Sequence, residues 1–176
     1  MHITVINGSP RANGNTGIMV SEFQRGAEEV GHEVNVIQLM GKLVHGCLGC
    51  RYCCAHEGNC IQKDDMTRIY QSIDSSDMLV IASPIYWFDL TAQVKAVIDR
   101  LYARVITGFP FKKMALLLDG SVEGVFEAPI MQYKTLAKYM HLEDCGVIAI
   151  PNMNELGAMR NSPKLKEVYE LGRNLK

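Results

Sequence analysis

The sequence predicts a single doubly wound α/β domain over residues 1–176, and three observations carry that reading. Five short apolar runs, Ile3–Ile6, Val34–Leu39, Met78–Ala82, Met114–Leu118 and Val147–Ile150, are rich in Val, Ile and Leu with little in–out alternation. Strands covered on both faces, as in a parallel sheet, have this composition. The stretches between them carry apolar residues at helical spacing, so the chain reads as a β-α unit repeated five times. Finally, 176 residues leave room for one domain and hardly for two, at roughly 150 residues each.

Each helix has its own stripe. Met19, Phe23, Ala27 and Val30 form the first, and Gly31 suits its end. Met66, Ile69, Tyr70 and Ile73 form the second. Leu90, Val94, Val97, Ile98, Leu101 and Val105 form the third, and Ile130, Tyr133, Leu136, Ala137 and Met140 the fourth. Leu165, Val168, Gly172 and Leu175 form the last, with Ser162-Pro163 as a capping hydroxyl and first-turn proline. No repeat, low-complexity tract or linker interrupts the order. The one departure is residues 41–63, a Gly- and Cys-rich insertion after the second strand, and a loop that long in a compact domain is usually functional.

Composition bounds the function. With 48% apolar and 21% charged residues, the chain can bury a core without disulfides, and a net charge of −1 lacks the basic footprint of a nucleic-acid binder. No apolar run approaches the roughly 20 residues that span a bilayer, so no membrane partner is expected. Met1 leads straight into an apolar strand without a basic leader, so the expected location is cytoplasmic. Five of the six cysteines lie between Cys47 and Cys60. Such clustering points to metal or redox chemistry rather than to the stapling of distant segments.

Two loops carry candidate chemistry. After the first strand, residues 7–16 form a polar turn rich in Gly, Ser, Asn and Thr at a helix start. Its amides, hydroxyls and helix dipole suit an anion, and Arg11 adds a charge-assisted donor to a phosphate. The same residues also suit an ordinary βα turn capped by Asn15 or Thr16. No Walker loop, G-x-G-x-x-G or thiol-phosphatase loop is present. After the third strand come Ser83-Pro84-Ile85-Tyr86-Trp87-Phe88-Asp89, whose aromatics suit a flat heterocycle, a core or a subunit interface. In a 2-1-3-4-5 strand order these two loops flank the topological switch point, where ligands bind.

Together these residues carry a family resemblance. Gly8-Ser9-Pro10-Arg11 with Gly14-Asn15-Thr16, Asp64-Asp65-Met66, Ser83 to Trp87, and Lys95 with Asp99-Arg100 resemble the flavodoxin-like NAD(P)H-dependent FMN reductases. The cysteine stretch resembles that family's iron–sulfur flavoprotein branch. The resemblance implies that Ser9, Arg11, Asn15 and Thr16 hold the FMN phosphate, with Asn13 a further candidate in that loop. It also implies that Pro84, Ile85, Tyr86, Trp87 and Phe88 line the isoalloxazine, and that Asp119-Gly120-Ser121 closes the other side. Phe88 departs from the smaller residues that relatives often carry after the Tyr-Trp pair, which narrows access to the ring.

For the cysteines, two C-x-x-C steps sharing Cys50, plus Cys60 beyond a turn at Gly58, suit a [4Fe–4S] cluster on Cys47, Cys50, Cys53 and Cys60, with Cys54 spare. A structural zinc site and metal-free thiol or disulfide chemistry also remain open. The five histidines are scattered and read as surface or structural, with His45 and His56 second-choice ligands. Asp64-Asp65 reads as a charged helix start, Lys95, Asp99 and Arg100 as salt-bridge formers, and the methionines as core filler.

The expected activity is transfer of reducing equivalents from NAD(P)H through FMN to a small-molecule or protein acceptor, with no indispensable side-chain acid or base. A second expectation is a one-electron carrier pairing FMN with a cluster, without nicotinamide turnover. A third is a non-catalytic anion- or nucleotide-binding module. By the resemblance, the chain is expected to form a homodimer or homotetramer.

Overall fold

The computed structural model describes all of residues 1–176. In chain order its elements are β1 (His2–Asn7), α1 (Asn15–Glu29), β2 (Glu33–Gln38), α2 (Tyr52–Ala55), α3 (Met66–Asp74), β3 (Met78–Tyr86) and β4 (Asp89–Leu90). There follow α4 (Ala92–Arg100), α5 (Tyr102–Val105), β5 (Lys113–Asp119), α6 (Glu127–Tyr139), β6 (Glu143–Ile150), a 3₁₀ turn (Ala158–Asn161) and α7 (Leu165–Arg173). No helix is long and apolar enough to cross a membrane.

The sheet has six strands rather than five, in the order β2-β1-β3-β5-β6 with β4 attached to β3. All pairs are parallel except β3–β4, a hairpin in which Tyr86 faces Asp89 and Ile85 faces Leu90. A two-residue strand has no periodicity, so Leu90 reads from the sequence as the start of a helical stripe; it is buried in the core all the same.

The parallel strands bury both faces, and neighbouring residues divide between two cores. Ile6, Leu79, Ile81, Leu116 and Leu118 pack under α3, α4 and α6, whereas Ile3, Val5, Val80, Ala82 and Leu117 pack under α1 and α7. The edge strands β2 and β6 are only half covered. β6 starts at Glu143, four residues ahead of its apolar run, because a register shift against β5 at Met114–Leu116 admits polar residues there. Asp144 accepts the Tyr133 hydroxyl at 2.7 Å and the Gly146 amide at 3.0 Å in this irregular stretch.

Helix ends follow local chemistry, with two corrections. Gly31 (φ +87°) closes α1 as expected: its amide bonds the Glu28 carbonyl and that of His32 bonds Ala27, which satisfies two carbonyls at the helix end. The third stripe is interrupted at Leu101, whose amide is shared between the Val97 and Ile98 carbonyls, giving α4 and the single turn α5. The last helix starts at Leu165 without a side-chain cap, so Ser162 is not its capping hydroxyl. Instead the Ser162 carbonyl accepts the Leu165 amide and closes a turn over Pro163.

Candidate functional site

The loop from β1 to α1 is held by its own side chains. Asn7 accepts the Ser9 amide at 3.0 Å, and Ser9 Oγ accepts that of Arg11 at 3.2 Å. Gly8 is pinned on both sides, its amide donating to the Ala82 carbonyl at 2.8 Å and its carbonyl accepting the Thr91 hydroxyl at 3.0 Å. These bonds tie the loop to β3 and to the start of α4. The N-cap of α1 is Gly14, with no side-chain cap, so neither Asn15 nor Thr16 has the capping role. The first amide with an intrahelical partner is that of Ile18, which leaves the N–H groups of Asn15, Thr16 and Gly17 open to an anion.

The side chains of Asn15 and Thr16 have other partners. Asn15 Nδ2 donates to the Met153 carbonyl (3.1 Å) and the Glu155 carbonyl (2.9 Å), and its Oδ1 accepts the Met159 amide (3.2 Å). Its amide therefore clamps the stretch after β6, and only its backbone faces a ligand. The Thr16 hydroxyl donates to Asp119 Oδ1 at 2.5 Å, at the carboxyl end of β5. Burial pushes the Asp119 carboxyl up to about 6, against the opposing pull of Thr16 and Arg11.

A polar cleft of about 160 Å³ opens at the carboxyl ends of β1, β3 and β5. It brings together Ser9, Arg11, Asn15 and Thr16 from the first loop and the start of α1, Pro84, Ile85 and Tyr86 from β3, and Asp119 with Gly120 at the end of β5. Asn13, Trp87 and Phe88 are not part of its wall. Gly14 and Ser121, which belong to loops read from the sequence, also line it, whereas Met153 and Asn154 were missed by sequence reasoning. Their signal was topological: Met153 and Asn154 follow the carboxyl end of β6, on the same edge of the sheet as the other loops. The donor set fits a phosphate ester, with a guanidinium, a hydroxyl and open helix amides at one end and apolar Pro84 and Ile85 at the other.

Trp87 and Phe88 form the tip of the β3–β4 hairpin at φ +48° and +67°. A two-residue hairpin loop of this type usually holds Asn or Gly, because both central residues need positive φ. Trp87 is 92% exposed and meets Phe88 edge to face at 5.8 Å.

The cysteine segment is anchored at its base. The Leu43 amide donates to Asp65 at 2.8 Å and that of His45 to Asp64 at 3.0 Å, while Arg100 donates to the His45 carbonyl at 3.1 Å. Gly58 turns the chain back at φ +76°, and a Cβ there would lie 2.7 Å from the Ala103 carbonyl. Cys47, Cys50, Cys53 and Cys60 all line one largely apolar pocket of about 50 Å³, and Cys54 does not. Cys54 instead lies 3.9 Å from the Tyr102 hydroxyl, whose hydrogen bond lowers the thiol pKa, whereas burial raises that of Cys53.

His45 and His56 also stay out of this pocket, and His56 stacks on Tyr52 at 3.6 Å. Arg100 forms part of its wall, and the buried Arg100 Nε has no hydrogen-bond partner. Four thiols and an unpartnered guanidinium N–H fit an anionic sulfur-ligated centre. The four cysteines share that pocket, and nowhere do three His, Cys, Asp or Glu side chains close on a single-ion position.

A parallel sheet of this order with an anion-accepting cleft at its β1/β3 switch point defines a flavodoxin-like α/β protein. Residues 1–153 match the NADPH-dependent FMN reductase family, and the chain belongs to that oxidoreductase family. It is 34% identical to an iron–sulfur flavoprotein of Archaeoglobus fulgidus over 76% of this chain and 69% of the relative. It is 29% identical to the iron–sulfur flavoprotein of Methanosarcina thermophila over 93% and 84% of the two chains. With several other curated relatives, the match spans about half of their length (43, 51 and 52%). The fold is also similar to that of an NAD(P)H:quinone oxidoreductase from Methanothermobacter marburgensis, with a TM-score of 0.76 at 18% identity over 99% and 96% of the chains.

Proposed function

We propose that the chain is an FMN-dependent oxidoreductase that passes reducing equivalents from NAD(P)H, through FMN, to a small-molecule or protein acceptor in the cytoplasm. The observation that carries this reading is the cleft itself, which joins a phosphate-type donor set to the apolar end of β3. FMN, when bound, supplies the hydride- and electron-transfer chemistry. Ser9, Arg11 and the amides of Asn15 to Gly17 hold its phosphate, with Asn13 beside them on the exposed part of the loop. Pro84, Ile85 and Tyr86 position the ring, and Asp119 with Gly120 closes the opposite wall. Trp87 and Phe88 stand outside as a rim that meets the donor, the acceptor or a second copy of the chain in a homodimer or homotetramer.

The test is uptake of FMN at micromolar concentration, followed by anaerobic mixing with NADPH or NADH. Bound flavin that is bleached by either nucleotide is the expected result. A protein that takes up no flavin refutes the reading.

The shared cysteine pocket and the unpartnered Arg100 Nε favour a second reading, an electron carrier in which Cys47, Cys50, Cys53 and Cys60 hold a [4Fe–4S] cluster. In that case the anaerobically purified protein is brown, loses the colour in air, and shows no flavin bleaching by either nucleotide. Arg100 then supplies a positive charge beside the anionic centre.

A further inference from the structure

The position of Thr16 sets two demands on one proton. A threonine hydroxyl has a single donor hydrogen, and here it goes to Asp119 Oδ1 at 2.5 Å. The same residue lies in the open first turn of α1, on the wall of the cleft that fits a phosphate. Thr16 and Asp119 are 1% and 5% exposed, so each is the other's chief hydrogen-bond partner.

An ionised Asp119 therefore takes the only proton Thr16 has, and it leaves oxygen lone pairs and a negative charge facing an incoming phosphate. A protonated Asp119 reverses the bond: it donates to Thr16, whose own hydrogen becomes free for a phosphate oxygen. Among the other residues lining the cleft, Arg11 of the first loop is the one charged group. Tyr86 from β3 is the one further titratable group, and α1, residues 120–121 and residues 153–154 add none. Burial already favours the neutral carboxyl, and a second anion brought beside it acts in the same direction.

We propose that Asp119 is a positioning residue which, acting through Thr16, couples binding of the flavin phosphate to the uptake of one proton. The proposal rests on the reading of the cleft as an FMN site. Calorimetric titration of FMN into flavin-free protein at about pH 7.5, in two buffers of different ionisation enthalpy, counts the protons. Wild type takes up close to one per FMN, Asp119→Asn takes up none, and riboflavin, which lacks the phosphate, draws none with either protein. In parallel, the wild-type Kd for FMN weakens about tenfold per pH unit above pH 7, whereas that of Asp119→Asn is flat.

FMN binding to wild type without proton uptake overturns the proposal, and this measurement stands even if the variant fails to fold. Equal uptake by Asp119→Asn also overturns it, because the proton then resides on the phosphate, whose own second ionisation lies at about 6. A wild type that binds neither flavin at any pH refutes the cofactor reading, and the proton link falls with it.

Discussion

Arg100 of α4 grips Asp64, just ahead of α3, through two hydrogen bonds of 2.8 and 3.1 Å, and neither side chain is more than 1% exposed. Burial works against both charges. The mutual hydrogen bonds outweigh it, holding Asp64 below the usual carboxylate range and Arg100 above its ordinary value. Asp64 also accepts the amides of His45 and Met66, so the pair fixes the base of the cysteine segment to two helices. Replacing one partner strands the other as a buried charge. Arg100→Met is therefore expected to lower stability by about 3–5 kcal/mol in urea denaturation. The exposed Lys95–Asp99 pair on the same helix contributes at most about 1 kcal/mol, and Lys95→Ala leaves the urea midpoint nearly unchanged.

Helix α1 meets α7 at two glycines. A Cβ on Gly26 would lie 2.1 Å from the Tyr169 carbonyl oxygen, and one on Gly172 would lie 2.3 Å from that of Phe23. In an open helix, Gly→Ala gains about 1 kcal/mol. Here Gly26→Ala must push two backbones apart, and it is expected to destabilise by about 1–3 kcal/mol. A rise in melting temperature would contradict this packing.

The Trp87-Phe88 tip holds two bulky residues in left-handed backbone conformations. Each costs roughly 1–2 kcal/mol relative to a residue that tolerates positive φ. Trp87→Asn combined with Phe88→Gly is expected to raise the melting temperature, because the pair matches the turn and removes no buried contact. If the rim serves the reaction, the stabilised variant also turns over more slowly, measured as acceptor reduction at saturating NADPH.

Asp119 makes stability depend on pH. Its carboxyl is raised from 3.8 to about 6 in the folded chain, so the folded state binds more protons than the unfolded state between those values. Its contribution is fully present below about pH 4 and is lost as the pH rises through about 6, a swing of at most about 3 kcal/mol. Asp64 has the opposite sign, gaining stability above its unfolded pKa and losing it in acid. The difference between wild type and Asp119→Asn isolates the first effect. In urea denaturation of flavin-free protein, the variant is expected to gain on wild type from pH 4 to 6 and to stay more stable at pH 7.5.

Cysteine roles separate by substitution. Anaerobic reconstitution with iron and sulfide is expected to load wild type and Cys54→Ser equally, whereas Cys60→Ser loses most of its iron. Equal loading of all three would detach the cluster from the shared pocket.

Much of the architecture was legible because buried parallel strands write themselves as unbroken Val-Ile-Leu runs, and their helices keep a 3.6 period. The first loop was legible for a related reason: its Gly, Ser, Asn and Thr residues have no apolar use. What escaped was set by tertiary neighbours. Arg100 reads correctly as a salt-bridge former, but its burial escaped, since its partners Asp64 and His45 lie 36 and 55 residues away in sequence. Asn15 reads as a cap or phosphate ligand, yet its amide is committed to Met153, Glu155 and Met159. The β3–β4 hairpin escaped because Trp-Phe is the opposite of what its turn prefers.

The Asn15 clamp also bears on when the cleft can exist during synthesis. Its partners lie 138 to 144 residues further along the chain, so this loop waits for a segment that follows β6. Contacts of such sequence separation form late, after the local units have condensed. A nascent chain that has completed β5 can thus hold a nearly whole sheet and still lack the far wall of its cleft. The cleft is complete only once residues 153–159 have been made and have closed on Asn15.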